Sequence, residues 1–197
     1  GGGVAELLNS IVPLERGLGL DVTWGTIVGD APFFAFTKRL HNALQGAPDF
    51  EFTDAELGAY VRHNAALARA LRDHYDIVIV HDPQPLPVRA LGGDTGGRWI
   101  WRAHIDMSNY NEDAWQFLRS FVEPFQVYVF TLPEFVPAAV DPKKVRVVAP
   151  AMAAGILALV GGLLAGLGLP SAVAAILGAP GWVALRLALN RVRDEGD

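Results

Sequence analysis

The stretch DIVIVHDPQP, residues 76–85, decides the fold of this chain. After Asp76 it contains an uninterrupted run of β-branched residues at 77–80, a pattern that favours a buried strand. Polar residues follow directly, beginning with His81. A second stretch, RWIWRAHID at residues 98–106, likewise passes from apolar residues into Arg102. The two stretches predict two buried strands, each ending in polar side chains.

Helical and extended patterns alternate along the first 150 residues. Thr53 and Glu56 have the spacing of a capping box, in which the hydroxyl accepts from the third amide and the carboxylate reaches back. Such alternation indicates an α/β fold, a Rossmann-like parallel sheet with helices on both faces. Apolar periodicity predicts helices at 4–18, 33–44, 53–74, 111–122 and 133–140, and strands at 22–28, 76–80, 98–105, 126–131 and 144–148.

The polar side chains that follow the two central strands predict a binding site. In an open parallel sheet, ligands bind beyond the carboxyl ends of the strands. Residues that follow neighbouring strands should therefore meet at one edge of the sheet. Such a set suits a polar ligand with many hydroxyl groups, and it indicates an enzyme rather than a scaffold. The residues concerned are His81, Asp82, Arg102, His104 and Asp106.

Each of these side chains also has a purely structural interpretation. A histidine at a strand end can simply bond a backbone carbonyl. Asp82 and Asp106 suggest a carboxylate pair for glycosidic acid–base chemistry, but aspartates also cap turns. We favour hydroxyl binding and capping for them. A metal site built from His81, Asp82 and His104 lacks any ligand spacing, so no metal is expected.

Composition narrows the classes of protein. The chain has 197 residues, enough for one domain with an ordinary core, or one domain with an appendage. Its net charge is -5, and it has no long basic run. A nucleic-acid partner is therefore not expected, because duplex binding needs clustered lysine and arginine. The absence of cysteine excludes disulfides and thiolate metal sites.

Residues 1–150 resemble the N-terminal half of trehalose glycosyltransferring synthases, retaining glycosyltransferases built from two Rossmann-like domains (the GT-B class). The resemblance implies transfer of glucose from a nucleoside-diphosphate glucose to glucose, with retained anomeric configuration, in the cytoplasm. No cofactor is implied besides the nucleotide-sugar substrate. The resemblance rests on separate motifs in the same order: GGGVAE at 1–6, TK at 37–38, HNALQG at 41–46, HDPQP at 81–85, WRAHID at 101–106, Trp115 with Phe117 and Leu118, and LPEFV at 132–136.

The resemblance also implies roles for individual residues. His104 matches the histidine that faces the donor sugar, and it is the implied catalytic residue. Gly1, Gly2 and Gly3 match the loop beside the donor diphosphate, where missing side chains let the backbone approach. The acceptor sugar would be bound by Lys38, His41, Asn42, Gln45, His81, Asp82, Gln84, Arg102 and Asp106.

Spacing alone gives plainer interpretations of several of these residues. Lys38, His41 and Gln45 share one face of a predicted helix, and such a face is ordinarily solvated. A glycine triplet at the start of a sequence is ordinarily a tail. The tryptophans at positions 99, 101 and 115 are predicted to lie in the core rather than to stack on a sugar.

The resemblance stops at Pro150. The strand that should precede Gly1 is missing from the sequence, and so is the second Rossmann-like domain. We therefore expect an N-terminal, acceptor-side domain at 1–150 that lacks its first strand and is inactive alone. One alternative is a non-catalytic sugar-binding or membrane-tethered fragment, and another is an inert fragment that does not fold stably.

The last segment, residues 151–197, differs in composition from the rest. No charged residue occurs from Val147 to Leu185. Two apolar stretches, at 151–169 and 172–189, each have about the length that crosses a bilayer, and they predict an apolar helical tail. Three interpretations remain open: a membrane hairpin, a frameshifted or fused tail, and a soluble hairpin that covers the sheet.

Overall fold

A computed structural model of the chain describes residues 3–71, 74–92, 96–148 and 181–186. The strands of this described part form one sheet in the order β1-β6-β2-β3-β4-β5. Strands β2 to β5 pair in parallel, whereas β6 pairs antiparallel with both β1 and β2. The strands are β1 (Asp21–Thr26), β2 (Ile77–His81), β3 (Arg98–Arg102), β4 (Val127–Phe130), β5 (Val145–Val147) and β6 (Gly181–Arg186).

Three of the α-helices in the described part begin at a side-chain cap. Asp30 caps α2 and Asn111 caps α4, each accepting a hydrogen bond from the amide three residues on. Thr53 and Glu56 form the capping box that the sequence predicts for α3. Such caps satisfy amides that have no partner inside the helix. The helices are α1 (Gly3–Gly17), α2 (Ala31–Leu44), α3 (Asp54–Ala70) and α4 (Glu112–Val122).

Helices cover both faces of the sheet, as the sequence predicts. Alternate residues of a strand point to opposite faces, and the core divides in the same way. On one face, Leu8 and Val12 of α1 pack against Ile77, Ile79, Ile100, Val127 and Val129. On the other face, α2, α3 and α4 pack on side chains that include Val78, Val80, Trp99, Trp101, Tyr128 and Phe130.

The tryptophans at 99, 101 and 115 are buried in that second core, which confirms their predicted position. Burial of a large apolar side chain contributes about 1.5–3 kcal/mol to stability. The α/β fold and the parallel order of β2 to β5 are confirmed as well. Most predicted bounds agree within a few residues, although the helix predicted to reach residue 74 ends at Ala70.

One predicted helix is wrong. Of the helix expected over 133–140, only a single 3-10 turn, Pro133–Phe135, forms. Pro137 accounts for this, because proline lacks the amide and its ring clashes with the preceding turn. Of the stretch at 172–189 that is predicted to be helical, the structure describes only Gly181–Arg186, which forms strand β6. An apolar run cannot be assigned to helix or strand by periodicity. Two further 3-10 turns lie at Leu86–Val88 and Pro142–Lys144.

The rest of the predicted apolar tail, with its membrane hairpin, lies outside the described residues. Within the described ranges, no helix combines the length and the apolar composition needed to span a bilayer. The residues on both sides of Pro150 also lie outside the description. The division into a domain at 1–150 and a tail at 151–197 therefore stays a prediction.

Candidate functional site at the carboxyl ends of β2 and β3

Two histidines from neighbouring strands meet at the carboxyl edge of the sheet. His81 is the last residue of β2 and has no exposed surface, whereas His104, two residues after β3, is partly exposed. Nδ1 of His81 lies 3.0 Å from Nε2 of His104, within hydrogen-bond distance. The two rings are nearly parallel, with an interplanar angle of 20°. The sequence predicts that these side chains share one edge, and the structure brings them together.

Asp82 connects the ends of the two strands. Its backbone N–H donates to the carbonyl of Arg102, and its Oδ1 accepts from the backbone N–H of His104, both at 2.9 Å. Its φ of 59° is left-handed, a conformation that aspartate tolerates better than most residues. Burial raises the pKa of Asp82 to about 6, against the opposing effects of the His104 amide and the charge of Arg102.

Arg102 supplies a buried positive charge beside the histidine pair. It is only 1 % exposed and lies opposite His81 in the parallel register. Its Nη2 donates to Thr131 Oγ1 at 3.2 Å and to the carbonyl of Val148 at 3.0 Å. Within the described residues, Nε and Nη1 have no hydrogen-bond partner. Burial lowers the pKa of Arg102 to about 10, and nearby Asp82 opposes that shift, so the guanidinium stays protonated at neutral pH.

Both imidazoles are neutral at neutral pH. Burial lowers the pKa of His104 to about 3, and the charge of Arg102 acts in the same direction. Burial also holds the pKa of His81 well below its ordinary value, with further contributions from His104 and Arg102. The site therefore contains two neutral rings, one guanidinium and a carboxyl group whose charge depends on pH near neutrality.

The loop that follows Asp82 is fixed by α3. The Tyr60 hydroxyl donates to the carbonyl of Pro83, and Asn64 Nδ2 donates to the carbonyl of Gln84 at 3.0 Å. Oε1 of Gln84 is buried and has no partner among the described residues. Sequence reasoning did not single out Tyr60 or Asn64 as site residues. The sequence marks Tyr60 and Asn64 only by placing an asparagine inside a predicted helix, four residues after a tyrosine.

Asp106 does not join the buried cluster. It is exposed, and its Oδ1 accepts from the backbone N–H of Ser108 at 2.9 Å. Hydrogen bonds from Ser108 lower the pKa of Asp106. The capping interpretation of this residue is therefore confirmed, and the idea of a carboxylate pair with Asp82 receives no support from this arrangement.

The polar side chains of α2 are mostly exposed. Lys38, Asn42 and Gln45 are exposed. His41 is half-buried, and burial lowers its pKa against a hydrogen bond from Gln45. No hydrogen bond between described residues joins this face to His81 or His104. The assignment of these residues to an acceptor pocket stays a prediction.

The carboxyl end of α2 nevertheless borders the loop that follows β3. The backbone N–H of Asn111 donates to the carbonyl of Ala43 at 2.9 Å. Gly46 has a φ of 98°, and a Cβ there would lie 2.9 Å from the carbonyl oxygen of Asn109. The carboxyl end of α2 therefore flanks the same edge of the sheet as the histidine pair, with the 109–111 loop beside it.

The glycine triplet is described only in part. Gly1 and Gly2 lie outside the described residues, and Gly3 is the first residue of α1. Only Leu18–Leu20 separates α1 from β1, so the helix must run opposite to that strand. Strands β1 and β2 run parallel, because both pair antiparallel with β6. The first turn of α1 therefore lies toward the carboxyl edge, on the face of the sheet that His81 and Arg102 occupy.

Within the described ranges, no group of three or more His, Asp or Glu side chains is arranged to hold a metal ion. The nearest candidate set, formed by His81, Asp82 and His104, is committed to internal hydrogen bonds at His81 Nδ1, His104 Nε2 and Asp82 Oδ1. That a metal plays no part in the chemistry of this site stays a prediction.

Comparison with known proteins identifies similar chains. The family described as "Trehalose synthase, N-terminal domain" matches residues 1–137. A trehalose synthase of Rubrobacter xylanophilus is 43% identical over 157 residues, which cover 77% of this chain and 38% of that protein. Trehalose synthases of Pyrococcus horikoshii and Thermococcus litoralis are each 40% identical over 153 residues. The chain spans well under half of the length of these relatives.

Proposed function

Because this chain belongs to the family of trehalose synthase N-terminal domains, we propose that it forms the acceptor-side part of a retaining hexosyltransferase. The reaction proposed for the whole protein is transfer of glucose from a nucleoside-diphosphate glucose to glucose. The observation that carries the proposal is the pair of neutral histidines beside Arg102 and Asp82, at the edge of a parallel sheet where ligands bind.

The charges of this site suit glycosyl transfer. The transition state of glycosyl transfer has oxocarbenium-like positive charge on the sugar, and a neutral imidazole does not oppose that charge. His104 can form a hydrogen bond with a sugar hydroxyl. In front-face transfer the acceptor hydroxyl attacks the anomeric carbon as the diphosphate leaves on the same side, and the hydroxyl proton passes to the departing diphosphate.

The leaving diphosphate requires positive potential, and this edge of the sheet provides two sources. The first turn of α1 faces that edge, and the amides at a helix N-terminus favour anions. Arg102 keeps its charge at neutral pH, and two of its nitrogens have no partner within the described residues. Both features support a diphosphate near the histidine pair, as the resemblance implies for the glycine triplet.

We test this proposal first by binding. Calorimetry with glucose should give saturable heat with the chain, and His104→Ala should weaken glucose binding. That variant keeps the backbone N–H of residue 104, so its hydrogen bond to Asp82 Oδ1 remains. Ser120→Ala, on the exposed side of α4, is the matched control. Absence of glucose binding, or equal binding by His104→Ala, would overturn the proposal.

A transfer assay then separates an acceptor-side domain from a complete enzyme. We expect the chain, incubated with glucose and radiolabelled nucleoside-diphosphate glucose, to form little or no labelled trehalose. Robust trehalose formation would show that this chain holds all the groups that the reaction needs. Binding of glucose without any affinity for nucleoside-diphosphate glucose would instead indicate a non-catalytic sugar-binding module.

A further inference from the structure

We propose that His81 is a positioning residue that fixes His104 in its Nδ1–H tautomer, so that His104 presents a hydrogen-bond donor to the ligand. The inference rests on the proposed function for the identity of that ligand. The tautomer itself follows from the geometry of the two rings and from the group beside them.

Each neutral imidazole has one N–H, and one hydrogen lies between the two facing nitrogens. Two arrangements fit the 3.0 Å separation of His81 Nδ1 and His104 Nε2. In the first, His81 Nδ1–H donates, and the proton of His104 must then lie on its own Nδ1. In the second, His104 Nε2–H donates, and the proton of His81 must then lie on Nε2.

The environment of His81 Nε2 selects the first arrangement. This atom is buried and has no hydrogen-bond partner within the described residues. The second arrangement would leave a buried N–H without an acceptor there, which is rarer in proteins than an unpaired acceptor. The first arrangement leaves only an unpaired lone pair on His81 Nε2.

Arg102 favours the same arrangement. It lies directly opposite His81 in the register of β2 and β3, and alternation places both side chains on the α1 face. The charge of Arg102 acts on the His81 ring, whose pKa it helps to lower. A nearby positive charge stabilises a lone pair and destabilises an N–H. Nε and Nη1 of Arg102 lack hydrogen-bond partners among the described residues.

The consequence concerns what His104 does to a ligand. Its Nδ1 makes no hydrogen bond to a described residue, and the side chain is partly exposed. With the proton on Nδ1, this nitrogen donates to a sugar hydroxyl or phosphate oxygen, and it has no lone pair to accept a proton. His104 therefore binds and orients the sugar and does not act as a general base from its exposed side.

Nitrogen-15 NMR of the ¹⁵N-histidine-labelled chain, without any sugar, tests the tautomer. Two-bond and three-bond couplings to the ring carbon-bound protons distinguish a protonated Nδ1 from a protonated Nε2. We expect His81 and His104 both to be Nδ1–H tautomers, which is the less populated form of free histidine. Observation of Nε2–H in both rings would overturn the inference. Because no sugar is present, this result is independent of whether the proposed function holds.

Two variants of His81 separate positioning from packing. His81→Asn keeps an amide N–H near the place of Nδ1, and it should keep His104 in the Nδ1–H form. His81→Leu has no donor, so His104 should move toward the Nε2–H form, and glucose binding should weaken on the order of five-fold, the value of about one neutral hydrogen bond. An unchanged His104 tautomer in His81→Leu would overturn the inference. Should that variant not fold, the wild-type spectrum still decides.

Discussion

The carboxylate of Asp82 accepts a hydrogen bond from the backbone N–H of His104, with 2.9 Å between Oδ1 and N. The backbone N–H of Asp82 in turn donates to the carbonyl of Arg102. The residue after β2 is thus tied to two residues at the end of β3. This tie holds the backbone of His104 beside the ring of His81, and it explains how two loops maintain a 3.0 Å contact between imidazoles.

Removing the side chain of Asp82 should destabilise the chain. Asp82→Ala leaves the amide of His104 without its acceptor and removes the carboxylate near buried Arg102. It also places alanine at a left-handed φ of 59°. The expected loss is about 2–4 kcal/mol in the free energy of unfolding, measured by urea denaturation. Asp82→Asn keeps the acceptor and tolerates that φ, and its loss should be clearly smaller. Equal losses in the two variants would show that the hydrogen bond to His104 contributes little.

Acid should destabilise the folded chain through its two buried histidines. The pKa of each is lowered in the folded state, so below about pH 6.5 the unfolded chain binds protons that the folded chain does not, and stability falls. Asp82 opposes this, since its raised pKa lets the folded chain bind a proton first as pH falls through about 6. Because the effect of two histidines outweighs that of one aspartate, these three groups together lower the free energy of unfolding as the pH falls toward about 5.

A variant isolates the contribution of one histidine to this pH dependence. His104→Gln keeps a polar side chain without a titrating ring, so its free energy of unfolding should fall less than that of the wild type between about pH 7 and pH 5. Chemical denaturation at each pH measures the difference. The same pH slope in both proteins would mean that His104 titrates normally in the folded state.

Gly97 should not tolerate any side chain. A Cβ at this position would lie 1.9 Å from the carbonyl oxygen of Tyr75 and 2.6 Å from that of Asp76. Both are backbone atoms of the segment that leads into β2, so they cannot move without displacing the strand. Gly97→Ala should therefore lower the free energy of unfolding by more than about 3 kcal/mol.

Gly17→Ala is the matched control for Gly97→Ala. Gly17 ends α1, and a Cβ there meets no atom within 4 Å. This variant should be unchanged or more stable by up to about 1 kcal/mol, because alanine restricts the unfolded chain. If the two alanine variants have the same stability, the close approach of Gly97 to the segment before β2 is not required for a stable fold.

The capping box of α3 should contribute about 1 kcal/mol. Thr53 accepts from the amide of Glu56, whose carboxylate accepts from the backbone N–H of Thr53 at 2.9 Å. Thr53→Ala should lose that stability in thermal or urea unfolding, whereas Thr53→Ser, which keeps the hydroxyl, should lose little. A serine variant as unstable as the alanine variant would point to the threonine methyl group instead.

The sequence predicts the sheet well because its strands are short, β-branched and followed by polar residues. The run from Ile77 to Val80 is short, entirely β-branched and without a polar position, which favours a strand covered on both faces. The meeting of His81 and His104 follows from that parallel order, since both residues come at the end of neighbouring strands.

The details of the site do not follow from sequence pattern. Nothing in the spacing reveals that Asp82 adopts a left-handed φ, or that its carboxylate binds the amide of His104 rather than a turn. Asp106, which comes four residues after the end of β3, remains exposed. Burial separates the two aspartates, and burial depends on packing between segments distant in sequence. Strand β6 was missed because an apolar run suits helix and strand equally.

The most direct measurement is a titration of the ¹⁵N-labelled chain with glucose, followed by amide NMR. We expect saturable shifts concentrated in residues 81–84 and 102–106, and their loss in His104→Ala but not in Ser120→Ala. Absence of saturable shifts would contradict a sugar site at this edge of the sheet. So would shifts confined to another concave surface, such as the one lined by Trp115, Arg119 and Lys144.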